Sequence, residues 1–196
     1  MNKQMLAAAL AAATLIAAPV HATTVALAAD GSWNEFTVDA QAAPAYGNGW
    51  IDYADGSPLS FTFTIATGST GTLSVVDAGF AGDTFTLTNF ATALGSTSSV
   101  DAGNVEGNVE FDFGAAFANP AYSHGVFTLG AGTYRISGAL LQSVYDDIGG
   151  SALDATNGAL RLSVASVPEP SGIALSLAGL AAVALLARRR RIHPST

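Results

Sequence analysis

The sequence contains no cysteine and almost no lysine. Without cysteine, disulfide bonds and thiolate metal ligands are excluded. Lys3 is the single lysine, and five of the seven basic residues lie near the two ends of the chain, at Lys3 and in the cluster 188–191. Because a nucleic-acid surface needs clustered lysine and arginine, the sequence predicts no nucleic-acid partner.

The central part of the chain is strongly acidic. Between residues 23 and 166 only Arg135 and Arg161 are basic, against fourteen acidic residues, which gives a net charge of about −12. Such a surface suits a soluble exported protein and attracts divalent cations from the medium. Calcium is therefore a candidate stabilising ligand, and no other cofactor is predicted.

The N-terminus has the three regions of a secretory signal peptide. Lys3 supplies the positive charge, an Ala/Leu-rich apolar run follows over residues 5–18, and small side chains stand at Val20 and Ala22. This pattern predicts a signal peptide over residues 1–22 with cleavage after Ala22. A buried N-terminal helix is the alternative.

The C-terminal segment, residues 167–196, combines a short motif, an apolar run and a basic cluster. Val167, Pro168, Glu169 and Pro170 are followed by the apolar residues 173–187 and then by Arg188, Arg189, Arg190 and Arg191. A helix here would be roughly 25 Å long at about 1.5 Å per residue, slightly short of a bilayer core. We therefore expect a transmembrane helix whose arginines lie in the cytoplasm, with the preceding domain in the periplasm.

This order of parts resembles the PEP-CTERM sorting signal. The resemblance implies that an exosortase, a membrane-embedded transpeptidase, cuts the chain near Pro168-Glu169-Pro170. It also implies an inner-membrane precursor that is later released or transferred to the cell surface, in a bacterium that makes exopolysaccharide. A plain C-terminal membrane anchor is the alternative, with the two prolines serving to keep the chain extended.

Residues 23–166 alternate between apolar and polar side chains over short runs separated by Gly, Asn, Asp and Ser. This period of two is typical of half-buried strands and predicts an all-β domain, an antiparallel β-sandwich of jelly-roll type. The predicted strands are 33–38, 59–65, 72–76, 83–88, 126–129, 133–137 and 160–165. The predicted core consists of Phe36, Phe61, Phe63, Phe85, Phe127, Tyr134, Ile136 and Leu162.

Three segments of this domain are similar to a second PEP-CTERM family, named for a Phe-x-Asp-x-Ala motif. They are 72–90 (TLSVVDAGFAGDTFTLTNF), 117–125 (FANPAYSHG) and 127–134 (FTLGAGTY). Asn119 stands where that motif has aspartate. A ligand role would be weakened by this change, whereas a turn before Pro120 is served equally well by asparagine.

Two groups of acidic residues are candidate calcium ligands. If residues 104–112 form a strand, its polar side chains share one face, which is either a cation site or a solvated surface. The carboxylates of this face are Glu106, Glu110 and Asp112. Asp77 and Asp83 flank a glycine-containing turn, where they either stabilise the turn or bind an ion.

The sequence offers few side chains that could act in catalysis. After processing, His124 is the remaining histidine, and no Gly-x-Ser-x-Gly elbow occurs. The sequence therefore predicts that the protein is not an enzyme. Tyr46, Trp50 and Tyr53 are candidates for stacking on sugar rings, because aromatic side chains with a polar edge suit amphipathic ligands. The alternative for Trp50 is a place in the core.

The sequence as a whole predicts a non-catalytic exported protein of the cell surface or extracellular matrix, sorted by an exosortase and associated with exopolysaccharide or biofilm. Two alternatives stay open. One is a secreted carbohydrate-active enzyme that uses two carboxylates. The other is a calcium-dependent adhesive or carbohydrate-binding module.

Overall fold

The computed structural model describes residues 21–167 and 172–191. Within them lie ten strands and two helices. The strands are β1 (Thr23–Ala26), β2 (Asn34–Asp39), β3 (Leu59–Ile65), β4 (Ser69–Phe80), β5 (Thr84–Asn89), β6 (Thr92–Ser96), β7 (Val109–Glu110), β8 (His124–Leu129), β9 (Gly132–Gln142) and β10 (Ala155–Ser166). The helices are α1 (Phe113–Ala118) and α2 (Gly172–Arg191). Apart from its last two residues, the predicted signal peptide lies outside the described residues.

The strands form two five-stranded sheets. One has the order β1-β3-β9-β5-β6, and the other has the order β2-β10-β4-β7 with β8 also paired to β4. Because β4 has twelve residues, β8 pairs with its first part and β7 with its last two residues. The predicted all-β sandwich is confirmed.

One strand pair departs from the predicted antiparallel arrangement. β1 runs parallel to β3, with Thr23 opposite Leu59. All the other pairings between these ten strands are antiparallel. The β5–β6 hairpin extends the other side of the same sheet.

The core lies between the sheets and is rich in phenylalanine. Its centre is a cluster in which Phe36 stacks on Trp50, with ring centroids 3.8 Å apart, and meets Phe85 edge-on at 5.0 Å. Six of the eight predicted core residues are buried: Phe36, Phe61, Phe63, Phe85, Ile136 and Leu162. Phe127 and Tyr134 are partly buried and pack against this cluster.

A smaller cluster covers the outer side of β4 and β10. It is built from Val76, Ala81, Ala116, Tyr122 and Ala159, all buried. Around it, the Arg161 guanidinium lies 4.3 Å from the ring centroid of Trp33. Arginine stacked on an aromatic face is stabilised by the ring quadrupole, so Arg161 serves packing in this part of the sheet.

Residues 104–112 do not form one continuous strand. The Asn104 side chain accepts a hydrogen bond from the backbone N–H of Glu106 at 3.1 Å, and Gly107 N–H donates to the Asn104 carbonyl at 2.9 Å. These local bonds make a turn, so the strand is reduced to the two residues of β7. Asp112 then caps helix α1 through a 2.8 Å bond from Ala115 N–H. The condition for a shared polar face along residues 104–112, a continuous strand, is therefore not met.

Helix α2 follows the sandwich in sequence and covers the whole of the predicted apolar run, residues 173–187. Among the described residues no helix is long and apolar enough to cross a membrane. The predicted transmembrane helix is therefore not confirmed.

Candidate functional site

The turn between β4 and β5 brings two carboxylates together inside the protein. Asp77 is fully buried and Asp83 is 1% exposed. Asp77 Oδ2 accepts hydrogen bonds from the backbone N–H groups of Asp83 at 3.2 Å and Gly82 at 3.4 Å. Asp83 Oδ1 accepts a 2.8 Å bond from Val144 N–H. The aspartates thus stabilise the turn and tie it to the chain after β9.

A loop covers this turn closely. Gly82 has φ +130°, and a Cβ atom there would collide with the backbone of Gly103. The Gln142 side chain donates to the carbonyls of Gly82 at 2.7 Å and Val100 at 3.1 Å. Because residues 100–103 of this loop cross directly over the turn, they help to bury Asp77 and Asp83.

Burial changes the protonation of both carboxyl groups. It raises the pKa of Asp77 from 3.8 to about 9, and the nearby charge of Asp83 adds to the rise. Burial also raises the pKa of Asp83 to about 6, although the nearby Thr156 side chain and the hydrogen bond from Val144 N–H oppose the shift. At neutral pH Asp77 therefore holds its proton. This removes one of two like charges from a site where charge is poorly solvated.

Each aspartate also has one buried oxygen without a hydrogen-bond partner among the described residues. These atoms are Asp77 Oδ1 and Asp83 Oδ2. An unpartnered buried oxygen destabilises a fold unless a proton, water or cation satisfies it. Protonation of Asp77 lowers this cost, because a neutral carboxyl group is less expensive to bury than a carboxylate.

The other candidate calcium ligands do not join this pair. Glu106 is exposed in the turn that begins at Asn104. The Glu110 carboxylate accepts a 2.8 Å bond from Asp112 N–H, and Asp112 caps α1. In residues 21–167 and 172–191 no three acidic, histidine or cysteine side chains form a group that could hold a metal. The calcium hypothesis thus depends on Asp77 and Asp83 and stays a prediction.

The three candidate sugar-stacking aromatics lie in different environments. Trp50 is 2% exposed and stacks on Phe36, so the ring belongs to the core and is not available to a ligand. Tyr46 is half-buried in the loop before it. Tyr53 is 86% exposed.

Tyr53 borders a shallow groove at one end of the second sheet. The groove has a volume of about 250 Å³, and Phe80 and Phe111 also line it. Asp39 and Asn157 supply polar groups at its edge. Aromatic faces beside carboxylate and amide groups can hold a sugar ring and its hydroxyls. The sequence pattern misses Phe111 because it places that residue on the inner face of a strand that does not form.

Residues 117–121 (FANPA) have a structural role at the end of α1. The Asn119 side chain accepts a 3.0 Å bond from Ala121 N–H, which is the turn-stabilising role open to asparagine. Tyr122 is buried and donates its hydroxyl to the Gly79 carbonyl at 3.1 Å. His124 is half-buried, and its ring centroid lies 5.1 Å from that of Phe117.

The chain thus combines a β-sandwich with a distinct C-terminal segment that begins where β10 ends. That segment, residues 166–191, matches the family model described as the PEP-CTERM protein-sorting motif. The chain therefore carries a PEP-CTERM sorting motif, which implies an exported protein that an exosortase sorts. Val167 is exposed, whereas Pro168, Glu169 and Pro170 lie outside the described residues. Arg188 is exposed, and nothing is described of the side chains of residues 189–191.

Comparison with solved structures gives a similarity to the pre-peptidase C-terminal domain of collagenase from Bacillus anthracis. The two chains are 11% identical with a TM-score of 0.38, over 74% of this chain and 98% of that domain. No protein in the curated set matches the sequence. The likeness of the sandwich to the Phe-x-Asp-x-Ala family stays a prediction.

Proposed function

We propose that this protein is a non-catalytic component of the cell surface or extracellular matrix that associates with exopolysaccharide. In this proposal the precursor is anchored in the inner membrane with its sandwich in the periplasm, and exosortase cleavage near Pro168-Glu169-Pro170 releases or transfers it. The observation that carries the proposal is the sorting motif at residues 166–191, directly after the last strand.

The groove beside Tyr53 is the proposed contact with neutral parts of the polysaccharide. Its two most exposed rings, Tyr53 and Phe111, are 86% and 70% exposed. Large apolar groups at the surface are a common mark of binding sites. The groove is open and shallow, which suits one segment of a long polymer better than an enclosed small molecule.

Binding of the purified exported protein to exopolysaccharide from the producing cells tests this contact. We expect the double variant Tyr53→Ala, Phe111→Ala to bind at least tenfold more weakly, because both ring faces are removed. Binding is measured as depletion of the protein from solution by the polysaccharide. Its melting temperature should stay close to that of the parent, since exposed side chains contribute little to stability. Tyr145→Ala, an exposed tyrosine outside the groove, is the matched control. Equal affinity of the double variant and the parent would contradict the groove.

The non-catalytic part of the proposal has its own test. The exported protein, incubated with the same polysaccharide, should release no new reducing ends. Appearance of reducing ends that depends on intact protein would overturn the proposal in favour of a secreted carbohydrate-active enzyme. Substitution of single carboxylates would then identify its acid and base.

A further inference from the structure

The side chain of Arg135 in β9 is a cation whose hydrogen bonds go to hydroxyl groups. Its Nε donates to Ser60 Oγ at 3.2 Å, and its Nη2 lies 3.5 Å from Thr24 Oγ1. The guanidinium is exposed, in contrast to the stacked guanidinium of Arg161. Arginine presents five N–H donors in a planar fork that matches a carboxylate. Contacts with two hydroxyls leave donors of this fork free for a ligand.

The guanidinium borders an open cavity of about 410 Å³ on the outer side of the first sheet. Ser60 and Ser137 supply hydroxyls to its wall, and Phe90 supplies an aromatic ring that is 58% exposed. Ala22 also lines the cavity. Cleavage after Ala22 would remove this residue from the cavity wall and leave an α-ammonium group on Thr23, whose backbone nitrogen bonds the Pro58 carbonyl at 2.8 Å.

Phe90 lies at the cavity in a backbone conformation that is unfavourable for a residue with a Cβ atom. Phe90 and Ala91 have φ of 46° and 65° and form the two-residue loop between β5 and β6. A loop with positive φ at both positions favours Asn-Gly, because a Cβ atom is strained there. A strained non-glycine residue at a surface is a pointer to function, and here it exposes an aromatic ring beside an arginine.

We propose that this cavity binds a sugar that carries a carboxylate, such as a uronic acid residue of the exopolysaccharide. This inference rests on the proposed association with exopolysaccharide and names the type of sugar recognised. Arg135 pairs with the carboxylate and Phe90 covers the apolar face of the ring, while Ser60 holds the guanidinium in place through its Nε.

The acidic surface of the domain limits which polymers can bind. With a net charge of about −12 over residues 23–166, the sandwich repels a uniformly charged polyanion. This repulsion is screened beyond about 8 Å at physiological ionic strength, whereas a contact at Arg135 is not. Isolated uronic acids within a largely neutral polysaccharide are therefore the favoured ligand.

A titration with two small sugars tests the inference. The probes are methyl glucuronide and methyl glucoside, which differ in the carboxylate, added to the isotope-labelled exported protein and followed by NMR. We expect the glucuronide to bind at least tenfold more tightly and to shift the signals of Arg135 and Phe90. Arg135→Gln should remove this preference, and Arg135→Lys should restore only part of it. Arg161→Gln makes the same change in net charge elsewhere and should retain the preference.

Phe90→Asn separates binding from folding. Asparagine is favoured at the first position of this loop, so the variant should melt at a higher temperature than the parent while binding the glucuronide at least fivefold more weakly. A residue with a purely structural role would not raise stability and lower affinity together.

Equal affinity of the parent for the two sugars, or an unchanged preference in Arg135→Gln, would overturn the inference. Neither result would affect binding of neutral polysaccharide at the Tyr53 groove. If the parent protein bound no polysaccharide at all, that result would instead contradict the proposed function itself.

Discussion

At the residue scale, Asp77 couples folding to pH because its pKa differs between the folded and unfolded chain. The unfolded carboxyl has its ordinary pKa of 3.8, and burial raises the folded value to about 9. Between these values the unfolded chain releases a proton that the folded chain keeps. The contribution of Asp77 to stability is therefore fully present below pH 4 and is lost as pH rises towards 9. Asp83 adds a similar loss between pH 3.8 and about 6.

Asp77→Asn removes this dependence, since an amide is neutral and can donate a hydrogen bond. We expect the free energy of unfolding at pH 8 to rise by on the order of 2 kcal/mol relative to the parent. At pH 4 the two proteins should differ little. Denaturant unfolding at both pH values measures the effect, and Asp147→Asn, in the loop after β9, is the control. A stability curve for Asp77→Asn parallel to that of the parent would contradict the assignment.

Chelation by EDTA distinguishes a proton from a calcium ion at the Asp77–Asp83 pair. If Asp77 holds a proton at pH 7, EDTA should leave the melting temperature unchanged, because no bound ion is removed. A fall in melting temperature with EDTA that added calcium reverses would instead support the calcium-dependent module. In that case Asp77→Asn would destabilise the protein, since it would remove one carboxylate ligand.

At the element scale, the β5–β6 hairpin stores strain that one substitution relieves. Ala91 has φ 65°, where glycine has no Cβ penalty. Ala91→Gly should stabilise the protein by about 1 kcal/mol, seen as a rise in melting temperature. The variant retains Phe90 and Arg135, so binding of methyl glucuronide should persist. A lower melting temperature would show that the loop is not strained as described.

Strand β9 needs a glycine at the position where it packs against the Trp50 ring. A Cβ atom at Gly138 would meet the Trp50 ring and the Thr86 carbonyl. Gly138→Ala should therefore destabilise the sandwich by about 2 kcal/mol, measured by denaturant unfolding. Gly130→Ala is the matched control, because nothing lies within 4 Å of its Cβ position. Equal stability of the two variants would contradict the packing of Trp50 against this strand.

Strands were predictable where alternation was uninterrupted. Leu59–Ile65 agrees with the structure at both ends, because every second residue points into one core. Residues 104–112 have the same alternation, but Asn104 and Asp112 bond the local backbone and end the strand. Period alone does not show which side chains will make such bonds. The short edge strand β6 has a weak pattern, since most of its residues are exposed.

The candidate site was predictable only in part. The spacing of Asp77 and Asp83 around a glycine turn marked both residues, but their burial depends on a covering loop distant in sequence. The Arg135 cavity joins the residue before β1 with β3, β9 and the β5–β6 loop. No local pattern contains that combination, because strand order determines it.

At the scale of the whole molecule, charge and targeting are separated along the chain. The ends hold five of the seven basic residues, and the acidic sandwich lies between them. Removal of the ends would therefore change the protein from moderately to strongly acidic. Such a protein stays soluble outside the cell and is repelled by other acidic surfaces. Under the proposed function, its attachment to a matrix would then depend on local sites such as the Tyr53 groove and the Arg135 cavity.

Replacement of Pro168, Glu169 and Pro170 by alanine in the full chain tests the sorting claim most directly. Cell fractions and the medium are examined for the protein, and its intact mass is measured. The parent should be found at the surface or in the medium without its C-terminal segment, and the variant should stay with the membrane fraction at its full C-terminal length. The same mass and the same location for both proteins would contradict sorting through this motif.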